Sequence, residues 1–71
     1  MVTSLPTAPD VATIRNNLGA AWNALAEHHK AIAYYEQALP VFEKFLGKDH
    51  PNTKIVQDNL DKARAALNES P

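Results

Sequence analysis

Large and small side chains alternate across two neighbouring stretches of this chain: Leu18-Gly19-x2-Trp22, then Ala31-x3-Tyr35-x2-Ala38. At helical spacing, residues three and four apart share a face. The pattern therefore sets a glycine and two alanines among bulky leucine and aromatic side chains. Two antiparallel helices with such faces can approach closely and lock. The chain has 71 residues and can form at most one small domain. It has no cysteine, so no disulfide supplements what is necessarily a small core.

Three segments carry the 3.6-residue period. The first runs from about Pro9 to Leu25, with Ile14, Leu18, Ala21, Trp22 and Leu25 as its stripe. Pro9 suits a first helical turn, Thr7 or Ala8 would cap it, and Asp10 complements the positive helix end. The second runs from about His28 to Leu46, with Ile32, Tyr35, Leu39, Phe42 and Leu46 on one face and Gly47 just beyond its end. Pro40 interrupts it. A proline inside a helix removes one hydrogen bond and crowds the carbonyl four residues back, here that of Glu36. The stripe stays in register past Pro40, so a kink is expected there and not a break. Gly47-Lys48-Asp49-His50-Pro51 is turn chemistry leading into a third helix, whose stripe is Val56, Leu60, Ala63 and Leu67.

The third helix echoes the first. Shifting residues 8–27 by 42 onto residues 50–69 pairs Pro9 with Pro51, Asn17 with Asn59, Leu18 with Leu60 and Ala21 with Ala63. It also pairs Ala24 with Ala66, Leu25 with Leu67 and Glu27 with Glu69. These are seven identities in twenty positions, where chance would give about one or two. The echo is an internal repeat.

The signature resembles a tetratricopeptide repeat, which places leucine-glycine and an aromatic on one helix and alanine and an aromatic on the next. The shift of 42 exceeds the family's usual 34 residues. The chain is similar to the longer repeats of kinesin light chain type, in which a G-x-D-H-P turn closes a lengthened second helix; here that turn is Gly47 to Pro51. The resemblance covers about residues 9–69. It implies an all-α fold of three antiparallel helices, an α-solenoid fragment. Residues 1–8 would be a disordered lead, 9–49 one helical hairpin, and 50–69 a C-terminal capping helix.

Some positions depart from the family pattern. Arg15 stands where the family often has tryptophan, and Glu43 where a proline is usual; a longer second helix accounts for the latter. In the third helix Asp61 corresponds to Gly19 and Arg64 to Trp22. Charges at positions where a following helix would pack oppose that packing. The third helix is thus expected to end an array with a solvated outer face.

Chemistry is sparse. His28, His29 and His50 do not form a metal-ligand pattern; the first two are expected in the turn between helices, and His50 at the cap of the third helix. Ser4 and Ser70 lie in the tails, and Gly19 and Gly47 form no phosphate loop. No catalysis, cofactor or metal is expected. The net charge of −1, without a basic cluster, argues against nucleic acid, and no apolar run reaches the ~20 residues of a membrane span. The seven residues Met1 to Thr7 lack the charged and apolar regions of a signal peptide. The missing cysteines fit a reducing, cytoplasmic setting.

The family resemblance implies a concave groove lined by first helices, which holds an extended peptide or a partner helix. By position its residues here are Thr13, Asn16, Asn17, Ala20, Asn23 and Ala24, with Ile55, Asp58, Asn59, Lys62 and Ala66 from the third helix. Asn17 and Asn59 fall on adjacent rungs of the repeat, and each amide can bond both backbone groups of a peptide. Against this, Asp58 has Lys54 and Lys62 at four-residue spacing, the pattern of an ordinary solvated face. Trp22 and Tyr35 are expected in the core, with Tyr34 outside it. A protein or peptide partner is the expectation. The alternative is a self-associating module, stacked or domain-swapped into a homo-oligomer. It would use a face bordered by Thr13, Arg15, Ala20 and Ile32, and the Gly47–Pro51 turn as hinge. Pro51 resists such a swap by biasing His50 away from helix.

Overall fold

A computed structural model describes residues 8–69, and the side chains of residues 10–69. Three helices account for nearly all of them: α1 (Ala8–Ala24), α2 (His28–Leu46) and α3 (Pro51–Glu69). The first seven residues of the expected lead lie outside the described residues, and Ala8 already belongs to α1. α2 lies against both α1 and α3, which barely touch one another. The Cα atoms span 52 × 28 × 14 Å. The short dimension shows a layer about one helix thick, the form of a slice through a solenoid.

Gly19 makes the α1–α2 approach possible. It is buried, and a Cβ added to it would stand 2.7–3.0 Å from three atoms of the Tyr35 ring. The ring therefore occupies the space that any other residue at position 19 would need. Ala31 and Ala38, both fully buried, sit on α2 on either side of Tyr35. The alternation of large and small residues becomes an interdigitated contact. Burial also pushes the pKa of the Tyr35 hydroxyl up, because the phenolate would lose its hydration.

The core is Ala12, Ala31, Tyr35, Ala38, Phe42, Val56, Leu60 and Ala63, with Trp22, Ile32, Leu39, Val41 and Leu46 packed against its edge. Trp22 is a half-buried lid and not a core residue, and Lys30 stands over its ring at 4.3 Å from the centroid. Tyr34 is likewise half-buried. α1 behaves unlike the other two helices. Apart from Trp22, its apolar stripe stays out of the core: Ile14 is 52% exposed, Leu18 40% and Leu25 69%, and Ala21 is exposed as well. The burial of α1 runs instead through Ala12 and Gly19 on another face.

Each turn shows its local cause. α1 ends with Ala26 at φ 62°. The Glu27 N–H donates to the Trp22 carbonyl at 2.9 Å and the Ala26 N–H to the Asn23 carbonyl at 3.0 Å. These paired bonds around a left-handed residue are a Schellman cap, built here on alanine in place of the favoured glycine. His28 and His29, expected in this turn, are instead the first two residues of α2. α2 then runs unbroken through Pro40 and Glu43 to Leu46, and Gly47, at φ 90°, donates its N–H to the Glu43 carbonyl at 3.1 Å. At the start of α3, His50 acts as the cap. Its carbonyl accepts from the Lys54 N–H at 3.0 Å, and its Nδ1 accepts from the Asn52 N–H at 3.1 Å.

Candidate interaction groove

The groove face of α1 carries Thr13, Asn17, Ala20 and Ala24, at three- and four-residue steps, with Asn16 beside Asn17. On this side α1 and α3 come near each other across α2. A depression of about 130 Å³ lies there, lined by Thr13 and Asn16 of α1, Phe42 of α2, and Asn52, Ile55 and Val56 of α3. Its lining mixes the apolar Phe42, Val56 and half-exposed Ile55 with the amides of Asn16 and Asn52 and the hydroxyl of Thr13. Apolar and hydrogen-bonding groups side by side suit a peptide that bonds through its backbone and rests a side chain on the apolar residues.

One polar contact crosses from α3 to α1 on this side. Asn59 Nδ2 donates to Asn16 Oδ1 at 3.3 Å, so Asn59 faces Asn16 and not Asn17. Asn17 is exposed. The Asn16–Asn59 bond joins α1 to α3 at this point. The bond uses one N–H of Asn59 and one lone pair of Asn16, so the Asn16 NH2 and the Asn59 carbonyl keep their hydrogen-bonding capacity. Asn23, counted with the groove by position, serves the turn: its Oδ1 lies 2.6 Å from His28 Nδ1, which donates to it. Lys62 is exposed and reaches only Asp58, at 3.7 Å, with both side chains about seven-tenths exposed. Ala20 and Ala24 are exposed, Ile55 is 52% exposed, and Ala66 is half-buried.

A second depression, of about 370 Å³, lies between α2 and α3 and is lined by Glu43, Lys48, Thr53, Lys54, Gln57 and Asp58. Two ammonium and two carboxylate groups line it, so its formal charges balance. Among the described residues, no three His, Cys, Asp or Glu side chains converge as a metal site would require, and no helix is long and apolar enough to cross a membrane.

The outer face of α3 is polar and internally satisfied. Arg64 donates to Glu36 of α2 at 2.7 Å, and Gln57 Nε2 to Asp61 Oδ1 at 3.0 Å. The two charged substitutions that distinguish α3 from α1 thus each have a partner within the chain. The Asn16–Asn59 and Asn23–His28 contacts had no signal in spacing, because each joins different helices.

Residues 10–69 match the tetratricopeptide repeat family. No curated protein and no solved structure matches the chain significantly.

Proposed function

The chain belongs to the tetratricopeptide-repeat family, and from that premise we propose that it is a protein-interaction scaffold whose α1–α3 groove holds an extended peptide or a partner helix. The observation that carries this reading is the depression over Phe42, with Thr13, Asn16, Asn52 and Ile55 around it. Repeat folds of this kind use their concave face for binding. Asn17, Asn59 and Asn16 are the proposed hydrogen-bonding groups, Thr13 and Ala20 the close-approach positions, and Lys62 a peripheral charge. Asn23 contributes by fixing the turn through His28. α3, with Asp61 and Arg64 outward, is proposed to cap the repeat. The reading is that of a non-catalytic module acting in the cytoplasm.

Peptides selected from a displayed random library on the folded full chain provide the test. Binders of the groove lose affinity when Asn17 and Asn59 are both changed to alanine, and lose more when Ile55→Asp is added. Selected peptides that bind the triple variant as well as the parent would sink the reading. Self-association is the competing reading, favoured by the open stripe on α1. Sedimentation equilibrium separates them: a chain that stays monomeric at high concentration does not self-associate.

A further inference from the structure

The cleft between α2 and α3 holds a polar group without a partner. Thr53 is 2% exposed, and its Oγ1 is buried with no hydrogen-bond partner. A buried hydroxyl left unbonded is costly, so a ligand that bonds it gains what the folded chain forgoes. Thr53 stands in the first turn of α3 and lines the depression of about 370 Å³ with Glu43, Lys48, Lys54, Gln57 and Asp58. Threonine has two χ1 rotamers open to it in a helix, so the hydroxyl can turn toward the depression.

The charges of this cleft are sorted. On α3, Lys54 comes first and Asp58 one turn later. α2 runs the opposite way, so Lys48, in the connection, lies nearer the turn than Glu43 does. On both walls the ammonium group belongs to the end beside the Gly47–Pro51 turn, and the carboxylate to the end further from it. The positive N-terminus of α3 adds to the cationic end. Among the described residues, no ion pair joins these lysines to Glu43 or Asp58. Asp58 reaches Lys62 instead, at 3.7 Å, and the other ion pair is that of Arg64 with Glu36.

We propose that this cleft binds a small zwitterion, a free ω-amino acid. Its carboxylate lies at the end of Lys48, Thr53 and Lys54 and accepts from the orphan hydroxyl. Its ammonium group lies between Glu43 and Asp58. A bare anion would meet the two carboxylates, and a bare cation the two lysines, so only a ligand carrying both charges suits both ends. Lys54 and Asp58 are four residues apart, which is about 6 Å along a helix. The chains of γ-aminobutyrate and δ-aminovalerate have that reach, whereas both charges of glycine sit on one carbon. No residue lines both this cleft and the α1–α3 depression, so the proposal does not rest on the groove reading. Asp58, assigned to the groove by its place in the repeat, lines this cleft.

The probes are glycine, β-alanine, γ-aminobutyrate and δ-aminovalerate, titrated into the isotope-labelled full chain at constant ionic strength and followed through backbone amide resonances. Saturable shifts of Thr53, Lys54 and Gln57 are expected in the millimolar range, since so small a ligand has a low ceiling of affinity. The two longer amino acids bind about tenfold tighter than glycine, and about tenfold tighter than butyrate or butylammonium, each of which lacks one charge. Lys54→Gln together with Asp58→Asn, both at exposed positions, abolishes the saturable shifts while far-ultraviolet circular dichroism stays that of the parent. Thr53→Val weakens binding about tenfold, the loss for one hydrogen bond to a charged group. Three results would overturn the proposal. One is no saturable shift with any of the four amino acids. A second is equal binding of butyrate or butylammonium, meaning that one charge suffices. The third is full affinity in the Lys54→Gln, Asp58→Asn variant, meaning that the ligand sits elsewhere.

Discussion

Leu18 and Leu60 hold the same place in the 42-residue repeat, on helices of nearly equal length, yet Leu18 is 40% exposed and Leu60 2%. Ile14 and Val56 part in the same way, at 52% and 1%. The side chains do not account for the difference, since they are alike. What differs is the neighbour: α3 has a long helix immediately before it in the fold, and among the described residues α1 has none. Burial in such a repeat is a property of the stack. A helix contributes half an interface, and the preceding helix decides whether that half is realised. The two ends of the molecule are accordingly unlike, one apolar and open, the other charged and satisfied.

The sharpest way to break this comparison is a matched pair of truncations. Leu60→Ala is expected to cost about 3 kcal/mol, the usual loss for a buried leucine. Leu18→Ala should cost no more than about 1 kcal/mol, in proportion to the apolar area it already leaves in water. Urea denaturation followed by circular dichroism measures both; equal losses would mean that the two stripes are equally packed. Gly19→Ala comes next. In an open helix it would gain about 1 kcal/mol, but here the new Cβ meets the Tyr35 ring at 2.7 Å. Overpacking reverses the sign, and a loss of about 1–3 kcal/mol is expected. A gain in melting temperature would show that α1 and α2 are not locked through this contact.

Ala26→Gly should stabilise the chain by about 0.5–1 kcal/mol, because the left-handed conformation that strains alanine is free to glycine. A lower melting temperature would contradict the cap geometry. Arg64→Ala removes an ion pair whose two side chains are each about half exposed, so at most about 0.5 kcal/mol is expected after solvent screening. A larger loss would mean that the α3 outer face holds the fold together and does not merely close it. The smallest effect is alkaline. Burial raises the Tyr35 pKa in the folded chain, so the unfolded chain ionises first. Stability is then complete below about pH 10 and falls as pH rises through and beyond it. Tyr35→Phe removes that part of the fall, which melting curves between neutral and alkaline pH would detect.

Much of this architecture is legible in the sequence, because its determinants are local or periodic. Gly47 and Pro51 punctuate the chain where α2 ends and α3 begins, and the α2 stripe carries the helix through Pro40. The alternation around Gly19, Tyr35, Ala31 and Ala38 becomes the α1–α2 contact. Periodicity reports that a face is apolar and is silent on whether anything covers it, so the exposure of Ile14, Leu18 and Leu25 could not be read from their spacing. The open face was expected to be bordered by Thr13, Arg15, Ala20 and Ile32. The exposed large apolar residues of α1 are those of the stripe, Thr13 and Ala20 are exposed, and Arg15 and Ile32 are half-buried. In the groove, position within the repeat identified Asn59 and Asn16 as residues of one surface. Which amide meets which depends on the offset between α1 and α3, and that offset is set by α2 lying between them. Asn23 and Ala26 are special for the same reason: the turn geometry recruits one and strains the other, and no residue pattern marks either.

The account rests on two equivalent stripes, one open and one covered. Methyl-resolved nuclear magnetic resonance of the full chain with a soluble nitroxide reads this directly. Strong relaxation is expected for the methyl groups of Ile14, Leu18 and Leu25, and protection for those of Val56 and Leu60. Equal protection of the two sets at low protein concentration would contradict it.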